Sequence, residues 1–227
     1  MRNFFLWELK CLKVNRKNSY VNSISEVLNN AVKNHNLQAI QIFLSHGISV
    51  NSCIKGVSLL LTALLSNGET KLSSYLLSQG AKIIDDGNFT VCKDLMLNKF
   101  HNGLSKAIEL GYSLHKRDTC GSNYLHFACL DNDLNIVKQI LQSKYKDELL
   151  HEKNSNSDTP FLLAARHAVL IDMLLDAGAN INDQDNTGKT ALLHHCISRD
   201  KTVFDILMKR NVDVNLADNN GWVRYLL

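Results

Sequence analysis

The chain has 227 residues, 45% of them hydrophobic and 21% charged, with a net charge of +3. That composition excludes a disordered or collagen-like polymer, and so small a charge gives no argument for nucleic acid as a partner. No apolar stretch approaches the roughly 18–20 residues of a membrane span.

The N-terminal run Met1-Arg2-Asn3-Phe4-Phe5-Leu6-Trp7 starts as a secretion signal does. Glu8 and Lys10 then cut it short of the roughly 7–15 apolar residues that such a signal needs. Residues 1–18 combine Phe4, Phe5, Leu6, Trp7, Leu9 and Leu12 with Lys13, Arg16 and Lys17. We read them as a helix or hook that covers the apolar edge of the fold downstream, with a membrane-surface or basic sorting element as the alternative. The six cysteines (Cys11, Cys53, Cys92, Cys120, Cys129 and Cys196) are scattered, without a CxxC or a zinc-type pairing. They read as small core residues in a reducing compartment, so the chain is expected in the cytoplasm, with the nucleus as a second location.

Further along, one pattern recurs. It is Phe43-Leu44-Ser45-His46-Gly47-Ile48-Ser49-Val50-Asn51, then Leu76 to Ile84, Ala107 to His115, a weaker copy starting at Ile140 and ending at Glu148, Leu174 to Asn182, and Leu207 to Asn215. The end positions 51, 84, 115, 148, 182 and 215 are 33, 31, 33, 34 and 33 residues apart. A second pattern precedes the later copies: Gly121-Ser122-Asn123-Tyr124-Leu125-His126-Phe127-Ala128-Cys129, Ser157 to Ala165, and Gly188 to Cys196. Each unit reads as a turn, a short helix, a second helix and a stop. Thr159 and Thr190 fall where an N-cap hydroxyl belongs, and Pro160 follows at the first helical position. Gly47, Gly80, Gly111 and Gly178 are expected as left-handed C-caps, with Asn211 in that place in the last copy. Ile136-Val137…Ile140-Leu141 and Val203-Phe204…Leu207-Met208 form apolar stripes facing the next unit.

Together these residues resemble the ankyrin repeat, with its period of about 33 and its Thr-Pro-Leu-His-x-Ala signature. The resemblance covers roughly residues 20–221. It implies an all-α fold with short β-turn fingers: a solenoid of about six stacked helix-turn-helix repeats and the opening of a seventh. The boundaries fall near 19–52, 53–85, 86–116, 117–152, 153–183 and 184–216, in a repeat domain of 19–217, with 218–227 as the incomplete seventh. The third unit is short, and Cys92-Lys93-Asp94-Leu95-Met96-Leu97 is expected as its first helix. In the fifth, Ala164-Ala165 runs into Arg166-His167-Ala168 with two positions missing between the helices.

Three apparent chemical motifs dissolve on inspection. Thr187-Gly188-Lys189-Thr190 mimics the end of a phosphate loop, but Asp183 stands where that loop needs glycine. His194-His195-Cys196 are adjacent, so on a helix they point about 100° apart and do not close on one metal ion. Cys129 and His126 lack a third group to orient them as nucleophile and base, and in the family the histidine bonds loop backbone. We therefore expect no enzyme, no cofactor, no metal and no small-molecule substrate.

What remains is surface. In this family, partner contacts lie on the turn fingers and on the exposed side of the first helices. Carried over, they are Lys116, Arg117, Asp118, Asp183 and Asp185 on fingers, with Phe127, Leu130, Leu163 and His194 on first helices. The expected function is a non-catalytic scaffold that binds another protein by its concave face. The alternatives are an adaptor or effector of a virus or intracellular microbe, and a constitutive inhibitor resembling the IκB group. The resemblance also implies asparaginyl hydroxylation at Asn182 and Asn215, each with a leucine eight residues before it (Leu174 and Leu207).

Overall fold

A computed structural model of the chain describes residues 18–86, 93, 103–195 and 201–223, with side chains from Ile24 onward and excepting Asn67. Residues 1–17 of the expected N-terminal cap, the expected helix at 92–97 apart from Lys93, Cys196 and the last four residues lie outside the described part. The chain divides into two compact units, Met1–Tyr112 and Ser113–Leu227.

In the first unit, helix α1 (Asn18–Lys33) packs on α2 (Leu37–Ser45) and on α3 (Leu59–Asn67). Leu28 and Val32 of α1 and Ile40 and Phe43 of α2 are buried, which is the apolar stripe that the helical period demands. Asn36 caps α2 by accepting the Ala39 N–H at 3.0 Å. Between α2 and α3 lies a hairpin of β1 (Cys53–Ile54) and β2 (Val57–Ser58), paired Cys53 with Ser58 and Ile54 with Val57. Its turn residues Lys55 and Gly56 both have positive φ, 52° and 81°, the tight turn that matches strand twist. Asp85 extends the pairing by bridging to Val57.

Helix α3 carries Leu59, Leu60, Leu61, Ala63, Leu64 and Leu65, all buried, so it is covered on every side. Helix α4 (Lys71–Ser78) starts with a capping box: Thr70 Oγ1 accepts the Ser73 N–H, and Ser73 Oγ accepts the Thr70 N–H. Helix α5 (Gly103–Glu109) begins on the backbone of α3. A Cβ on Gly103 would lie 1.9 Å from the Leu64 carbonyl oxygen, so only glycine permits that approach.

The second unit comprises α6 (Tyr124–Leu130), α7 (Leu134–Leu141), α8 (Lys146–His151), α9 (Pro160–Leu163), α10 (Ala168–Asp176), α11 (Ala191–His195) and α12 (Lys201–Lys209). Helices α6 and α7 form one pair and α11 and α12 another; α6 packs on α9, and α10 packs on α12. The core between them holds Leu125, Val137, Ile140, Phe161, Leu170, Leu174, Val203 and Leu207, all shielded from solvent. The expected caps are present. Thr159 and Thr190 accept the N–H groups of Leu162 and Leu193, and Pro160 opens α9. The left-handed stops are Gly47 (φ 92°), Gly80 (79°), Gly111 (101°), Gly178 (102°) and Asn211 (57°).

Three expectations need correction. Of the described cysteines, read as small core residues, Cys129 is buried in α6, but Cys53 in the hairpin and Cys120 in a turn are exposed. The register drawn through Ile140 to Glu148 places a turn where the chain forms helix α8. The stretch 142–153 has four more residues than 177–184 or 210–217, and Tyr145, Leu149 and Leu150 bury themselves to turn the excess into a helix. Asp147 and Glu148 in its first turn suit the helix dipole. In the stripe of α12, Met208 is 37% exposed, so Val203 and Leu207 carry its burial.

Candidate functional site

The fingers of the second unit are built on one repeated device. Asp118, Asn154, Asp185 and Asp218 each use Oδ1 to accept the N–H groups two and four residues ahead. The distances run from 2.7 Å (Ser122 to Asp118) to 3.0 Å (Asp158 to Asn154). A short side-chain acceptor at the start of a turn replaces a missing backbone partner in this way. The residue three positions on takes positive φ to close the loop: Gly121 (74°), Ser157 (60°), Gly188 (79°) and Gly221 (77°). Ser157 is the one without glycine's freedom.

The fingers are then tied edge to edge. Ser155 donates its N–H to Cys120 O at 2.8 Å, Asn186 to Asn156 O at 2.9 Å, and Asn219 to Thr187 O at 2.9 Å. Asn219 packs against Gly188 so closely that a Cβ there would lie 2.7 Å from Asn219 N. Turn asparagines add a second tie. Asn182 Oδ1 accepts the Asp213 N–H at 3.0 Å, and in the first unit Asn51 Oδ1 accepts the Lys82 N–H at 2.8 Å. Asn215, the other hydroxylation candidate, is exposed.

Several residues expected as partner contacts are engaged within this framework. The Asp118 and Asp185 carboxylates close their own turns. Burial pushes the Asp185 carboxyl up, but hydrogen bonds from Thr187, Lys189 and His194 outweigh it and hold the group below its usual range. Arg117 reaches the carbonyls of Leu114 and Lys116 and the carboxylates of Glu148 and Glu152. Glu152 also accepts from Asn123 Nδ2 at 2.6 Å, so α8 is bound to both the preceding finger and the cap of α6. His115 Nδ1 donates to Glu148 Oε1 at 2.8 Å, and this contact, with Arg117 beside it, holds the Glu148 carboxyl low. Lys116 is half-buried, and Asp183 accepts from Asn180 at 3.0 Å.

The first-helix positions differ. Phe127, Leu163 and His194 are the fourth residues of α6, α9 and α11, one register on three helices, and each is half-buried. Leu130 at the end of α6 is 55% exposed. His194 Nε2 lies 2.7 Å from Asp185 Oδ2, which fixes its ring toward the finger. Exposed Asp131 and Arg166 stand in the loops after α6 and α9, and Trp222 on the finger at 218–222 is 70% exposed; sequence reasoning passed over all three. On the second-helix side, a groove of about 500 Å³ between α10 and α12 is lined by Val169, Met173 and Ile206, with Asp172 and Asp176 sharing Arg210.

His126 is buried. Its Nδ1 accepts the Asn123 N–H at 3.2 Å and its Nε2 donates to Asp158 O at 2.9 Å, so it bonds loop backbone as expected. Burial, outweighing nearby carboxylates, pushes its pKa down and keeps the ring neutral. Cys129 is fully buried, and burial pushes its thiol up, away from the reactive thiolate. Thr187 to Thr190 belong to the Asp185 turn and lead into a five-residue helix rather than a phosphate-binding one. Among the described residues, no three His, Cys, Asp or Glu side chains converge as a metal would require, and no helix is long and apolar enough to cross a membrane.

Comparison with known proteins agrees with the finger-and-helix pattern. A family model described as ankyrin repeats (3 copies) matches residues 125–218. An ankyrin repeat protein of fowlpox virus is 24% identical over 156 residues, which is 66% of this chain and 35% of that protein. The phosphocholine transferase AnkX of Legionella pneumophila is 24% identical over a 272-residue alignment, 93% of this chain and 28% of that protein. The chain thus spans about a third or less of the length of these two relatives. Among solved structures, a chain from the complex of a Bdellovibrio bacteriovorus predatory endopeptidase with its immunity protein matches with a TM-score of 0.61. It is 19% identical, covers 81% of this chain and 97% of that one, and speaks to the fold alone.

Proposed function

We propose that the chain, whose residues 125–218 match a model of ankyrin repeats, a family in which repeats mediate protein–protein interaction, is a non-catalytic scaffold whose second unit presents a partner-binding face. The face consists of the first-helix positions Phe127, Leu130, Leu163 and His194, bordered by the finger residues from Lys116 to Asp118 and from Asp183 to Asp185. The observation that carries this reading is the contrast between the two sets. The finger side chains are tied into turns and ladders, while Leu130 stands 55% exposed beside half-buried Phe127 and Leu163. An apolar strip on a stiff support suits partner binding, since little conformational entropy is lost on association. The same reading takes the array as about six repeats and the opening of a seventh, with the boundaries given above, in a protein of the cytoplasm or, as the second location, the nucleus.

A second reading, an adaptor or effector of a virus or intracellular microbe, is favoured by the fowlpox and Legionella relatives. In that reading the repeats deliver an activity that resides elsewhere, as a transferase activity belongs to the much longer Legionella protein. Affinity capture with cross-linking mass spectrometry tests the binding face. Cross-links should fall on the loops beside Phe127, Leu130 and Leu163, and Phe127→Glu with Leu163→Glu should abolish capture while helical circular dichroism is kept. Capture unaffected by the double substitution would put the interface elsewhere.

A further inference from the structure

The sequence holds three Asn-Gly steps, Asn67–Gly68, Asn102–Gly103 and Asn220–Gly221, and the first two have asparagine side chains outside the described residues. Asn220 is exposed at the tip of the finger at 218–222. Asn-Gly is the step at which a chain deamidates most readily, because glycine leaves the following nitrogen open to approach. The Gly221 nitrogen attacks Asn220 Cγ, its proton passes to Nδ2, the Cγ–Nδ2 bond breaks, and ammonia leaves a succinimide. Water then opens that ring to aspartate or isoaspartate.

The finger opposes the first of these events. Gly221 donates its N–H to Asp218 O at 2.9 Å, and Asn220 donates its own to Asp218 Oδ1 at 2.9 Å. A nitrogen whose proton is held by a carbonyl is not presented to the side chain behind it, and both bonds hang on one residue. We propose that Asn220 is a deamidation site gated by the finger: closed while Asp218 clamps the turn, reactive when the finger opens. The isoaspartate product adds a methylene to the backbone of this tight loop. It therefore breaks the tie of Asn219 to Thr187, and the opened finger stays open. The modification converts a transient local opening into a permanent one.

The test follows Asn220 by peptide mass spectrometry during incubation at mildly alkaline pH. It uses the full chain, a synthetic peptide covering 216–223, and two variants. Deamidation in the chain should be about tenfold slower than in the peptide, which corresponds to a finger closed by about 1.4 kcal/mol. Asp218→Ala, which keeps the carbonyl but loses both Oδ1 bonds that hold the turn closed, should react several-fold faster than the wild-type chain. Asp218→Asn should stay slow, because Asn154 fills the same role in a sister finger. Hydrogen exchange at the Gly221 amide should rank the proteins in the same order. Equal rates in chain and peptide would overturn the proposal, as would an Asp218→Asn protein that reacts as fast as Asp218→Ala.

Discussion

Replacing Gly188 with alanine separates two contributions that the finger ladder combines. Gly188 has φ 79°, where an alanine costs about 1–2 kcal/mol in backbone strain. Its added Cβ would also lie 2.6 Å from Asn219 Oδ1 and 2.7 Å from Asn219 N. The second of these is backbone, so the finger at 218–222 must withdraw. The hydrogen bond from Asn219 to Thr187 is then lost, at about 1 kcal/mol. The total is about 2–3 kcal/mol. For a chain of this size, that lowers Tm by roughly 5–10 °C. Gly178→Ala is the internal control, because its φ is 102° but nothing lies within 4 Å of its Cβ. It should show the strain alone. Thermal melts by far-ultraviolet circular dichroism read both variants. If Gly188→Ala costs no more than Gly178→Ala, the fingers are not stacked as described.

Val137→Asp places a charge at a position with no solvent exposure, between α7 and its neighbours, and should remove about 3 kcal/mol or more; a normal melting curve would refute the packing of that stripe. Ser157→Gly relieves the one finger whose left-handed residue is not glycine (φ 60°), so chemical denaturation should show a gain of about 0.5–1 kcal/mol. Stability of the second unit should also fall with pH. His126 titrates below its ordinary value of 6.5 when folded, so as pH drops through 6.5 the unfolded chain takes up a proton that the folded ring refuses. The loss grows until the folded value is passed and then levels off. Urea melts across that range should show it in the wild type and not in His126→Gln; identical slopes would mean the ring is not held neutral.

Much of this architecture was legible in the linear chain because its causes are local. A glycine or asparagine at the end of a helix, a threonine before proline and a stripe at helical spacing each act within one turn of the backbone. Gly47, Gly80, Gly111, Gly178 and Asn211 accordingly sit where the recurring pattern places them. The fingers were legible as turns, and the recurrence of Asp118, Asn154, Asp185 and Asp218 was available as a signal. It was hidden because an Asp in a turn looks the same whether its carboxylate faces a partner or its own backbone. Helix α8 is not legible in the repeat pattern, because the residues from Ile140 to Glu148 pass for a weaker copy of the repeat and mask the four-residue excess at 142–153.

The chain order of residues therefore determined the period, the caps, the stops and the apolar stripes, since each depends on neighbours only a few positions away. Tertiary structure decided which polar groups were left for a partner. Arg117 is spent on Glu148 and Glu152, thirty-one and thirty-five residues distant, and Asn219 on Thr187 in the finger before it. Gly103 is needed because its helix lies on the backbone of α3, and that approach exists only once the two helices pack. These pairings join residues about a repeat apart, and repeat spacing alone does not say which group of a turn will reach across to the next.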